Sequence, residues 1–258
     1  MSDFGEQIRR AAELLRRARY AVAFTGAGVS TPSGIPDFRS ARSGLWEKDD
    51  PLEVASLTAF RYHPDRFYAW LRPLARTMHE ARPNPAHWAL AALESAGRIK
   101  MLITQNIDQL HSRAGSANVV ELHGSLREAV CGRCHRHWPG APIVERFVGD
   151  GAVPHCPDCG GVLKPDAVLM GELLPEGVVS AAFAAAHACD VMLVAGTSLE
   201  VMPAARLPYE AVTAGAHLII INREATYLDE RAEVLLRGDV ADILPRLSAA
   251  VSQPETYA

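Results

Sequence analysis

The sequence predicts an α/β protein: a mainly parallel sheet flanked by helices and interrupted by two insertions. Three observations carry that prediction. Short apolar runs alternate with segments of helical period, several of those runs lack polar alternation, and two stretches break the rhythm. Strands covered on both faces read as near-continuous Val, Ile and Leu, because neither face meets water.

The strand candidates are YAVAF (20–24), IKMLIT (99–104), NVVEL (118–122), DVMLVAG (190–196) and HLIIIN (217–222). Helical patterns occupy 4–18, 64–80, 85–96, 176–188 and 203–214. Such alternation implies parallel pairing with crossover helices. Residues 36–80 hold no strand-like run and are rich in aromatics and Arg, as in AFRYHPDRFYAWLRPLART. Residues 127–165 hold four clustered cysteines among many Gly and Pro. Both read as insertions. The sheet domain is therefore expected over 1–35, 81–126 and 166–250, a helical module over 36–80, a small zinc-binding domain over 127–165, and a tail over 251–258 whose SQPETYA is expected to fray.

With 258 residues, 48% of them apolar, the chain can bury a sizeable core. Its 26 basic and 30 acidic residues leave a net charge of −4, which argues against broad binding to nucleic acid or anionic membrane. No apolar run approaches the roughly 20 residues of a membrane span. The N-terminal MSDFGEQIRRAAELLRRARY reads as an amphipathic helix without a signal core. The expectation is a cytoplasmic protein that is not exported.

Cys131 and Cys134 form one C-x-x-C pair, and Cys156 and Cys159 a second. That spacing suits a zinc ribbon. Four thiolates would close a tetrahedral shell and leave no position for substrate, so the site is expected to be structural. His135, His137 and His155 lie beside the pairs and read as solvated side chains, although one could replace a thiolate. Cys189, at the entry to an apolar run, reads as a buried structural thiol.

YAVAFTGAG is a strand running into Gly26, Ala27 and Gly28. Glycines there let backbone N–H groups approach a pyrophosphate, though an ordinary tight turn looks the same. The full G-x-G-x-x-G is absent, because Thr31 stands in the third position, and no second strand carries the expected acidic residue. A hydride-transferring dehydrogenase is thus disfavoured. SGIPDFR follows instead: Pro32 and Pro36 stiffen the chain, Phe38 offers an apolar cover and Arg39 a guanidinium fork. TQNIDQLH (104–111) and ELHGS (121–125) each follow a strand-like run, where ligands bind in open α/β sheets. His123 in the second is a candidate acid/base group. GTSLE (196–200) and IN (221–222) close two later strands and suit phosphate or ribose, with a helix N-cap at Thr197 or Ser198 as the alternative.

Taken in order, GAGVSTPSGIPDFRS, TQNIDQLHSRAG, ELHGS, the paired C-x-x-C, KPDAVLMGELLP, GTSLEVMPAA and the late IN resemble the sirtuin family of NAD-dependent protein lysine deacylases, bacterial type, over roughly residues 15–245. The resemblance implies a Rossmann-like domain with an inserted small zinc-ribbon domain and a helical module. NAD, consumed as co-substrate, and an acyl-lysine peptide would meet in the cleft between them. It implies that Ala27, Gly28 and Thr31 line the dinucleotide site, that Phe38 shields the ribose C1′, and that Arg39 steadies the phosphates. Gln105, Ile107 and Asp108 would hold nicotinamide and its ribose, Asn106 would order the ribose and its water, and His123 would be the general base. Thr197, Ser198, Asn222 and the backbone near Val240 would take the adenosine half. Cys131, Cys134, Cys156 and Cys159 match the ligands of one structural Zn²⁺.

On the peptide side, Val168 and Gly171 match positions that pair with substrate backbone, and Glu200 and Val201 lie near the peptide. Leu169 and Met170 stand where many relatives have an aromatic pair. Leu71 and Leu74 fall where succinyl- or malonyl-preferring sirtuins carry Tyr-x-x-Arg, an apolar pair that should not favour an acidic acyl group. Arg72 and Arg76 beside them read as a solvated helix face. ADP-ribosyl transfer or NAD hydrolysis on the same scaffold, and a catalytically silent zinc-ribbon docking protein, are the alternatives.

Overall fold

The uninterrupted apolar runs form the centre of the molecule. In this computed structural model, which describes residues 3–37 and 50–253, they become β1 (Ala21–Thr25), β2 (Met101–Thr104), β3 (Val119–Glu121), β7 (Val191–Ala195) and β8 (His217–Asn222). With β9 (Val234–Arg237) they make a six-stranded sheet in the order β3-β2-β1-β7-β8-β9, every pair parallel. Side chains alternate between two covered faces. Ala21, Ala23, Val191 and Leu193 face α1 (Asp3–Arg17), α5 (Pro85–Ser95) and α10 (Val240–Ser252). Val22, Phe24, Met192 and Val194 face α8 (Glu176–Ala188) and α9 (Leu207–Thr213). That is why β1 and β7 are buried at every position and show no polar alternation.

Two elements of the sheet layer go beyond the sequence reading. In β9 the apolar run is only Val234, Leu235 and Leu236 between the charged Glu233 and Arg237, so it does not stand out. In α10, Val240, Ile243, Leu244, Leu247 and Val251 form a buried stripe, but Pro245 interrupts the helical pattern. Packing against α1 and α5 overrides the lost hydrogen bond. The pattern at 203–214 also starts late: a 3₁₀ turn over Ala204–Arg206 leads into α9.

The cysteine-rich stretch contains a second sheet, β5-β4-β6, made of β4 (Gly124–Cys131), β5 (His137–Pro139) and β6 (Leu163–Ala167), all antiparallel. Between β5 and β6 runs α7 (Gly140–Asp150), which packs against α4 (Pro64–Glu80). Phe60, Phe67, Tyr68, Leu71, Leu74 and Phe147 share this core, with the Tyr68 and Phe147 rings edge to face at 5.0 Å. Arg72 is half-buried and not simply solvated, whereas Arg76 is exposed as expected but also bonded. The Arg72 guanidinium donates to the Val148 and Gly149 carbonyls at 3.1 and 2.9 Å, and Arg76 donates to Val148 at 3.2 Å. Two cations thus satisfy orphan carbonyls at the negative end of α7.

Candidate active site

A parallel sheet whose chain reverses direction across β1 leaves a crevice at the strands' carboxyl ends. Here the crevice between β1 and β7 opens into a cleft of about 440 Å³. Its floor depends on backbone contact. The Gly28 N–H donates to the Gly196 carbonyl at 2.9 Å, and a Cβ on Gly28 would meet that oxygen at 2.9 Å. Gly196 has φ +61, and its own Cβ would lie 2.5 Å from the Val29 nitrogen. The glycines let two strand ends close on each other. Beyond Gly28 the chain makes 3₁₀ turns over Ala27–Val29 and Thr31–Ser33 instead of an α-helix.

Beneath the cleft runs a buried polar network. Ser30 Oγ donates to Asp108 Oδ2 at 2.6 Å and accepts from Asn106 Nδ2 at 3.1 Å. His87 Nδ1 accepts the Asn84 N–H, which leaves its Nε2–H to face Ser30 Oγ at 3.4 Å. One hydroxyl therefore serves one acceptor and two donors, its full capacity. The other Asp108 oxygen accepts the Leu110 N–H at 2.8 Å, and burial pushes the Asp108 carboxyl up. Burial also lowers His87 to about 4. Asn106 Nδ2 further donates to the Gly26 carbonyl, tying the QNID turn to the glycine loop.

His123 sits between β3 and β4 on the cleft wall. Its Nδ1–H donates to the Gln105 carbonyl at 2.8 Å, so Nε2 is the basic nitrogen. Burial lowers its pKa, and the Gln105 bond partly offsets that. Gln105 Nε2 in turn donates to Thr197 Oγ1 at 2.9 Å. Thr197 Oγ1 also accepts the Leu199 N–H in a turn, so it caps no helix. At the far end, Asn222 and Val240 line the cleft beside an Arg223–Asp239 ion pair.

The four cysteines converge at the tip of the small sheet, with all four Sγ atoms within 4.8 Å of one another. Cys131 and Cys159 Sγ are 3.4 Å apart, and Cys134 and Cys156 Sγ 3.8 Å, close to the edge of about 3.8 Å that a tetrahedral zinc–thiolate shell requires. Each C-x-x-C turn closes alike: the His135 N–H donates to the Cys131 carbonyl and the Gly160 N–H to the Cys156 carbonyl, both donors at positive φ. The Arg133 and Cys134 N–H groups donate to Cys131 Sγ, as to a metal-bound thiolate. His137 instead pairs with Glu128, and His155 faces the Gly160 carbonyl. The residues present fit a structural zinc ion.

The Sir2 family profile matches residues 26–203 of this chain. The NAD-dependent protein deacylase 2 of Archaeoglobus fulgidus is 45% identical over 249 residues, covering 96% of this chain and 97% of its own. The chain belongs to the Sir2 family. A structure described under the mechanism and regulation of Sir2 enzymes superposes with a TM-score of 0.88 at 45% identity, covering 95% of this sirtuin and 98% of that chain. A Sir2 protein with a deacetylated p53 peptide and 3′-O-acetyl ADP-ribose gives 0.87 at 38% identity, covering 94% and 97%.

In this sirtuin the cleft brings together Ala27, Gly28, Thr31, Gln105, Asn106, His123, Thr197, Ser198, Glu200, Val201, Asn222 and Val240. Asp108 lies beneath it with both oxygens bonded, and Ile107 packs into the α4–α7 core. Phe38 and Arg39 lie outside the described residues. Val168, Met170 and Gly171 form a neighbouring edge. There the Val168 N–H donates to the His123 carbonyl at 2.8 Å, and the Met170 N–H and C=O bond Ala55 and Leu57 at 3.1 and 3.0 Å. Leu169 points into the α4–α7 core while Met170 stays exposed. Leu71 and Leu74 are buried in that same core. Ser30 stands inside the quoted glycine motif, and Arg223 and Glu224 follow directly on IN, yet their residue types alone do not single them out as parts of the site. His87 carries no local signal, since it reads as one face of an Ala-rich helix.

Proposed function

We propose that this sirtuin is an NAD-dependent protein-lysine deacetylase that consumes NAD and yields nicotinamide, O-acyl-ADP-ribose and the free lysine. The observation that carries this reading is the His123–Gln105 bond, which fixes the tautomer and presents a basic Nε2 to a dinucleotide-sized cleft. NAD is a substrate here. Its adenosine half lies toward Asn222 and Val240, its pyrophosphate beside Ala27 and Gly28, and its nicotinamide ribose toward Asn106 and His123.

The C1′–nicotinamide bond breaks with its electron pair leaving on nicotinamide, and the acyl oxygen of lysine attacks C1′. His123 Nε2 then takes the proton of a ribose hydroxyl, which attacks the acyl carbon. A water molecule completes the cleavage and the lysine amine departs. A neutral imidazole suits that proton transfer. Asn106, held by Gly26 and Ser30, orders the ribose, and the buried Asp108 orders the turn that carries Asn106. Exclusion of bulk water protects the activated ribose.

Cys131, Cys134, Cys156 and Cys159 hold one structural Zn²⁺, which ties β4 to the second C-x-x-C turn and takes no part in the reaction. The acyl-lysine peptide adds beside the 168–171 edge, next to Glu200 and Val201. With Leu71 and Leu74 buried, neither offers a charge to an acidic acyl group. Among the described residues no helix is long and apolar enough to cross a membrane.

A panel of acyl-lysine peptides with NAD, read by mass spectrometry, tests this function. The expected result is free nicotinamide together with a peptide lighter by its acyl group. A peptide heavier by ADP-ribose would assign ADP-ribosyl transfer instead.

A further inference from the structure

We propose that Lys164 and Glu172 form a positioning pair that shapes segment 167–172, and with it the edge that receives the acyl-lysine peptide. The assignment rests on the deacetylase reading. Neither side chain lines the cleft, so neither is a catalytic residue. Their role follows from three hydrogen bonds that converge on one turn.

Lys164 Nζ donates to Glu172 Oε2 at 2.8 Å and to the Ala167 carbonyl at 2.8 Å. The same Glu172 oxygen accepts the Leu169 N–H at 2.8 Å. The Glu172 N–H returns to the Leu169 carbonyl at 3.0 Å, across Gly171 at φ +86. A carboxylate thus sits inside the turn it belongs to, and an ammonium locks it there. The two side chains are only 17% and 20% exposed, so the pair is better shielded than a surface ion pair. Lys164 also carries weight by its scarcity: the chain has three lysines against 23 arginines. A compact ammonium can divide its donors between a carbonyl and a carboxylate, where a planar guanidinium favours one bidentate partner.

Segment 167–172 is also held from two other directions. The Val168 N–H bonds the carbonyl of His123, and Met170 is bridged in parallel to Ser56. Lys164 lies on β6, paired through Val130 to β4, the strand that ends at Cys131. The pair therefore connects the cysteine-bearing sheet to the peptide edge. Without it the edge keeps its main-chain bonds at Val168 and Met170 but loses those at the Ala167 carbonyl and the Leu169 N–H, and peptide binding should suffer more than NAD binding.

The test uses Lys164→Met, Glu172→Gln and the double variant in the full chain. Hydrogen exchange by mass spectrometry reads the clamp directly, without activity. The fragment spanning 167–172 should exchange about tenfold faster in each single variant, as expected for the loss of a charge-assisted bond. With an acetyl-lysine peptide, KM for peptide should rise about tenfold while kcat and KM for NAD stay within about twofold, the mark of lost ground-state positioning. The double variant should be no worse than either single one. Lys164→Arg should recover part of the peptide KM. Unchanged exchange at 167–172, or KM values for peptide and NAD that move together, would overturn the pair. Absence of any turnover by the wild-type protein would instead count against the deacetylase reading, and the exchange result would still judge the clamp.

Discussion

The Nδ1–H of His123 donates to the main-chain oxygen of Gln105 at 2.8 Å, a bond between residues 18 positions apart that joins the ends of two neighbouring strands. It settles which ring nitrogen is basic and aims that nitrogen at the cleft.

Burial holds the His123 pKa below its ordinary value of 6.5, so the imidazole is already neutral at physiological pH. The acid limb of kcat/KM should therefore fall at a pH below 6.5, with a plateau above it. Replacing His123 with Ala should lower deacetylation by about 10²–10⁴-fold. Exchange of labelled nicotinamide into NAD should persist, because the base acts after the glycosidic bond breaks. A pH–rate profile and an exchange assay check both.

His87 is fully buried, and its pKa falls from 6.5 to about 4 on folding. Below 6.5 the unfolded chain takes up a proton that the native site refuses, so stability is complete above that pH and is lost as pH falls toward 4. The loss attributable to His87 is on the order of 3 kcal/mol. His111, its ring 4.8 Å away, is lowered by burial and by His87 and acts in the same direction. Asp108, pushed up by burial, acts in the opposite one. Urea denaturation at several pH values should show the decline, and His87→Gln should flatten it.

Removing zinc should abolish activity without touching the chemistry. The cysteine cluster buries Cys131, Cys156, Ala129 and Leu163 and little else, a core too small to hold its fold alone. A chelator should release one zinc per chain and change the fluorescence of Trp138, which packs on that cluster. A zinc-free protein with the wild-type rate would refute the structural role.

Arg72→Ala should destabilise the α4–α7 contact. It removes donors to the Val148 and Gly149 carbonyls at the end of α7. The expected loss is about 1–2 kcal/mol in chemical denaturation. Arg72→Lys should recover part of it, and NAD binding should not change.

Much of this protein is legible in its residues alone. Buried strands such as AVAFT and VMLVA announce themselves, because two covered faces remove every reason for polar alternation. The C-x-x-C spacing carries the metal site, since a tetrahedral ion dictates which residues can share it. The ordered motifs carry the family. Local pattern fails where tertiary contact outweighs it, as in α10 around Pro245 and in the small sheet, which packs on α7 and a small cysteine-bearing cluster instead of presenting a broad apolar face.

What the sequence cannot express is distance. Gln105 meets Thr197 across 92 residues, Arg72 finds its carbonyls 76 residues away, and the Gly28 N–H is taken by Gly196. Each pairing exists only because parallel strands bring their carboxyl ends to one edge or because two helices pack side by side. The sequence by itself determined the kinds of group available and the strands that carry them. The tertiary structure decided which of those groups touch, since a hydrogen bond needs about 3 Å and a definite angle, and only the packed chain sets either.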